Sequence, residues 1–135
     1  MTIISGNTTD ATGGKVSIVT GRGAKTSSGD LIMLTANSGA SGASGKISLQ
    51  TGTTMKGTSG GILIQTGTAL SGKGGSITIN VASGYSGKGG DVSISAGATA
   101  STTSGGAVNI LSGTGGQSSS GALTVKTAAA GTSGQ

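Results

Sequence analysis

Ionisable side chains are few. The 135-residue chain has three acids, Asp10, Asp30 and Asp91, and no Glu, His or Cys. Its bases are Lys15, Arg22, Lys25, Lys46, Lys56, Lys73, Lys88 and Lys126, giving a formal net charge of +5. Paired carboxylates could do acid–base work, and a Ser or Thr beside a base could act as a nucleophile. The three aspartates are too far apart in sequence to form an obvious pair, and no His or Cys can activate a hydroxyl. No catalytic residues are assigned, and the expectation is a non-enzyme. With one acid in GGDVSI and none recurring at the repeat spacing, a calcium-binding repeat of the GGxGxDxUx kind is not expected. No metal or cofactor site is assigned. GRGAKTSS lacks the spacing of a phosphate-binding loop.

The bases are dispersed, and Tyr85 is the one aromatic residue, so neither a basic run nor a stacking platform for bases is present. No nucleic-acid partner is expected. No apolar run approaches the length of a membrane span, and MTIISGNTTD has no leader-like pattern, so no membrane partner is expected. Asn7-Thr8-Thr9 is a glycosylation triplet of a kind that arises often by chance.

The elements that would position these residues come from a repeat. First apolar positions fall at Val16, Leu31, Ile47, Ile62, Ile77, Val92, Val108 and Leu123, in steps of 15 or 16. Second ones follow two residues on, at Ile18, Met33, Leu49, Ile64, Ile79, Ile94, Ile110 and Val125. A closing position comes next, Thr20, Thr35, Thr51, Thr66, Val81, Ala96, Ser112 and Thr127, followed by Gly or Ala. Met1, Ile3 and Ser5 fit the same frame one step earlier. Alternation with period two inside a longer period predicts one strand per repeat with one buried face. The remaining residues are mostly Gly, Ser, Thr and Ala, which predicts corners rather than helices.

The expected fold is therefore all-β. It is a right-handed parallel β-solenoid (β-helix) of 8–9 coils, with 15–16 residues per coil and a narrow two-sided core. Coils stacked about 4.8 Å apart would give a rod roughly 40 Å long. The 30 glycines would turn its corners, and the lack of Pro would leave every amide free to pair. Lys15, Asp30 and Lys46 share one repeat position, as do Asp10 and Lys25, which predicts charge ladders between coils. The single domain would span 1–135 as a segment of a longer array, since neither MTIIS nor AAAGTSGQ reads as a polar cap.

GKGGSITINVASG and GKGGDVSISAG resemble the SGxGGxVxIxxG arrays of Gly/Ser/Thr-rich β-solenoid repeats in algal, viral and phage fibre-like proteins. That resemblance implies a non-catalytic structural or presentation module, a rigid shaft or fibre repeat, in an extracellular or surface-exposed setting. It also implies end-to-end or lateral self-association through uncapped coils. The 15-residue period and low charge are similar to solenoid antifreeze proteins as well. This implies the alternative of ice binding on a flat Ser/Thr-rich face, with an ice surface as partner. The surface-binding rank would be Thr20, Thr35, Thr51, Thr66 and Thr127. It departs from the antifreeze pattern because its neighbours two residues earlier are the aliphatics. A separate apolar contact patch would comprise Ile32, Leu34, Leu63, Met55, Leu70 and Tyr85.

Overall fold

In a computed structural model of the chain, residues 1–131 are described. Two units are distinguished, Met1–Ile64 and Gln65–Gln135. Among the described residues there is no helix and no β-strand. The all-β solenoid expected from the repeat is overturned, and with it the coil stack, its handedness and its two-sided core. The described residues are coil, interrupted once per repeat by a bend. The chain-end reading of AAAGTSGQ falls partly on residues 132–135, outside the described residues.

The repeat survives as a series of loops. Bends occur at 9–11, 24–26, 40–42 and 55–57 in the first unit, and at 70–72, 85–87, 100–103 and 116–118 in the second. Each bend lies midway in a Gly- and Ser-rich stretch, where small residues reverse the chain at little steric cost. Behind each bend the chain returns to a neck. There the closing side chain of the repeat meets a glycine nine or ten residues further on.

Among the described residues the neck recurs in eight loops. A methyl group built on Gly14, Gly29, Gly45 or Gly60 would lie 3.0, 3.7, 3.3 or 3.6 Å from Ser5, Thr20, Thr35 or Thr51, respectively. The second unit repeats the pattern, with Gly75 against Thr66, Gly90 against Val81, Gly106 against Ala96 and Gly121 against Ser112. Glycine at this position lets the incoming backbone approach a β-branched or small side chain. At Gly90 a methyl group would come within 2.8 Å of Val81 Cγ1.

The loops are of two kinds. In four of them the neck is closed by a backbone hydrogen bond: Gly14, Gly29, Gly106 and Gly121 donate to the carbonyls of Gly6, Gly21, Gly97 and Gly113 at 2.8–3.0 Å. The other four lack that bond, and their bend ends on a glycine with positive φ: Gly42, Gly57, Gly72 and Gly87. Gly87, at φ 81°, shows why. Space around it is open, so only the left-handed backbone selects glycine there. The closed loops end their bends on Ala11, Thr26, Thr103 and Ser118, none with positive φ.

Single hydrogen bonds at four of the necks do not make a ladder. A parallel sheet needs each strand to pair along its length with another segment. Here the backbone bonds all close within one repeat, eight or nine residues apart, and none joins a residue to its counterpart in the next repeat among the described residues. The physical cause lies in the composition. Ordering one backbone residue costs about 1–2 kcal/mol, most for glycine. Two aliphatic positions in each fifteen-residue repeat bury too little apolar surface to offset that ordering.

The surface area reflects this. The chain exposes 13583 Å². A folded monomer of 12.4 kDa exposes about 6,100 Å², and its extended chain roughly 18,000 Å². Among the described residues none is buried. Those shielded to an intermediate degree are Ser5, Thr20, Gly23 and Ala96, and three of these four are neck residues.

The expected charge ladders are also overturned. Among the described residues the one ion pair joins Lys88 to Asp91 at 3.1 Å, within a single loop exit. Asp10 accepts a hydrogen bond from Thr9 Oγ1 at 2.9 Å, and its backbone N–H is turned toward Thr8 Oγ1. With no stacking of repeats, Lys15, Asp30 and Lys46 have no chain neighbour in register.

Candidate functional site

The threonine rank is used within the necks. Thr35 Oγ1 donates to the Gly45 carbonyl at 3.2 Å, and Ser5 Oγ does the same to Gly14 at 2.8 Å. The methyl groups of Thr35, Thr51 and Thr66 and Cβ of Thr20 lie against the neck glycines of their own loops. Thr127, the last of the rank, is exposed. The structure therefore places four of the five residues in equivalent local settings, loop by loop.

The apolar patch separates into two features. Met55, Leu70 and Tyr85 each begin a bend and stand at a loop tip, 103, 100 and 108% exposed. A positive-φ glycine follows two residues later in each case, at Gly57, Gly72 and Gly87. Ala40, followed by Gly42, is the equivalent tip one loop earlier. Each of the three large tips is fully exposed to solvent.

Ile32 and Leu34 belong to the second feature, with Leu63 separately exposed at 80%. The segment Leu31-Ile32-Met33-Leu34 is apolar at every position and exposed at every position, by 57–74%. Elsewhere the alternation puts Ser, Thr, Gln or Asn at one or both outward positions: Ser17, Ser48 with Gln50, Thr78 with Asn80, and Ser93 with Ser95. A segment apolar on both sides has no orientation that keeps its hydrocarbon from water. Contiguous exposed hydrocarbon of this kind marks interaction surfaces.

Two features of this arrangement were not foreseen. The Lys88–Asp91 pair was signalled by its i,i+3 spacing, but repeat-to-repeat comparison assigns Asp91 no partner. The neck was signalled by a closing residue followed nine or ten positions later by glycine, eight times over. Those glycines read naturally as corners, and their partner in the same loop is visible only in three dimensions.

Chemically, the site offers hydrocarbon, hydroxyls and unpaired backbone amides. Asp10 and Asp30 lie in different repeats of the first unit. No family model matches the chain, and neither a curated protein nor a solved structure matches it.

Proposed function

We propose that the chain is a non-catalytic structural repeat module that works by associating with other copies or with like repeats, in a surface or fibre-like assembly outside the cell. The observation that carries this reading is the exposure, by 50–87%, of two aliphatic positions per repeat, with Leu31–Leu34 as the densest stretch. A lone chain gains almost nothing from those residues, whereas association removes them from water at about 25 cal/mol per Å². The residue inventory supports a passive role, because no His or Cys is present and the acids number three. Ice binding is the weaker reading: its threonines serve their own necks and offer no second rank.

Sedimentation velocity over a hundredfold dilution series tests the reading. The weight-average mass is expected to rise above 12.4 kDa with concentration. A mass fixed at the monomer value throughout would contradict self-association.

A further inference from the structure

We infer that the occupant of the exposed apolar columns in the first unit is a second copy of this chain, lying in the same direction and displaced by one repeat. This rests on the association reading above and adds the partner's register to it.

Several observations converge on that register. Aliphatic positions recur in steps of 15 or 16 residues, so copies running the same way match apolar to apolar only at whole-repeat offsets. The segments between necks, 15–19, 30–34 and 46–50, make no backbone hydrogen bonds among the described residues. Their amides and carbonyls are open to a neighbour, as at an unpaired edge. The surplus of exposed surface over a folded monomer is also several times the roughly 800 Å² per partner that a standard interface covers.

Charge then selects among the offsets. At zero offset Asp10, Lys15, Lys25, Asp30 and Lys46 each face their own counterpart, and every such pair is repulsive. A one-repeat offset places Asp30 of one copy against Lys15 or Lys46 of the other, and Asp10 against Lys25. All the charged pairs formed by these five residues then become attractive. Within the lone chain these charges have no ion-pair partner among the described residues, so they are available. A two-repeat offset sets Lys15 against Lys46. The one-repeat register is also heterologous: each copy leaves a repeat uncovered at either end, so addition continues instead of closing at a dimer.

Introduced cysteines read the register directly, because the native chain has none. Ser28 and Ser44 are exposed, occupy the same position in successive repeats, and precede Asp30 and Lys46 by two residues. Equimolar S28C and S44C chains are mixed above the association threshold and oxidised. A disulfide forms only where Cα atoms come within about 7 Å. The expected result is a mixed product, one S28C chain joined to one S44C chain, about fivefold or more above either homotypic product and falling as salt screens the charge pairs. Homotypic products in excess, or a mass that stops at a dimer in sedimentation, would overturn the one-repeat register while leaving association standing. A chain that stays monomeric at every concentration would overturn both. D30K supplies an independent arm. It replaces two attractive contacts by repulsive ones, so the mixed product should fall to the homotypic level. An unchanged ratio in D30K would remove charge as the selector and overturn the inference.

Discussion

Replacing Ile32 and Leu34 together by serine is expected to weaken self-association about a hundredfold. Each side chain contributes about 1.5–3 kcal/mol when fully withdrawn from water. Both are 73–74% exposed in the single chain, so most of that contribution is still to be gained on association. The pair's total is about 3–6 kcal/mol, and a hundredfold change takes about 2.8 kcal/mol of it, since each 1.4 kcal/mol changes an association constant tenfold. The same substitution should leave the isolated chain untouched, since these residues contact no core. Sedimentation velocity measures the first effect and the hydrodynamic radius at high dilution measures the second. The control is S17A with S48A at the equivalent outward positions, which should shift association by less than about threefold. Equal weakening by the control would mean that hydrocarbon at 32 and 34 is not the contact.

The second large effect concerns local structure. Gly23→Ala and Gly115→Ala are each expected to open their loop. A methyl group at Gly23 would collide with the carbonyl oxygens of Thr26 and Ser27, the former at 2.8 Å. At Gly115 the carbonyls of Ser118 and Ser119 stand in the same places, with Ser118 O at 2.6 Å. Both obstacles are backbone, so the bend itself must move. Overpacking of this kind costs about 1–3 kcal/mol, whereas the neck hydrogen bond that holds the loop contributes about 1 kcal/mol. The strain exceeds the closure. The Gly29→Gly21 bond should therefore be lost in one variant and the Gly121→Gly113 bond in the other. Amide temperature coefficients of Gly29 and Gly121 report this by NMR. Because the loops close independently, Gly14 and Gly106 should keep their values in both variants. A coupled loss at all four necks would contradict independent closure.

How much could be read from the sequence differs by level. The period and its 15- and 16-residue steps were legible, and so was one reversal in each Gly- and Ser-rich stretch, but the glycine pairs read as corners, such as Gly13-Gly14 and Gly74-Gly75, carry no bend. The bends at 24–26, 55–57 and 85–87 fall where that reading puts the return segments. What could not be read was whether repeat pairs with repeat. Val16, Leu31 and Ile47 in one column suggest stacked strands, but a column in sequence says only that stacking would be consistent. Whether it forms depends on burial against entropy. With two aliphatics among many glycines, the balance favours loops that close on themselves. The charge columns misled in the same way: Lys15, Asp30 and Lys46 align in sequence and stay apart in the chain.

The candidate site was legible in composition and not in arrangement. Leu31–Leu34 stands out in the sequence as four successive apolar residues, and it is exposed in the structure. Met55, Leu70 and Tyr85 were recognisable as apolar contact residues, yet their place at loop tips depends on Gly57, Gly72 and Gly87 adopting positive φ two residues later. The threonine rank read as an outward face. Its real neighbours are the neck glycines, which lie nine or ten residues away and carry no side chain to suggest a contact.

Amide hydrogen exchange on the chain, held dilute enough to be monomeric, tests the central claim most directly. That claim is local closure without a core. The expected result is exchange near the intrinsic rate throughout, with protection of at most about tenfold confined to Gly14, Gly29, Gly106 and Gly121, the four donors at closed necks. Protection above roughly a hundredfold in the monomer, recurring every 15–16 residues across Val16–Ile18, Leu31–Met33 and Ile47–Leu49, would show paired strands and contradict it.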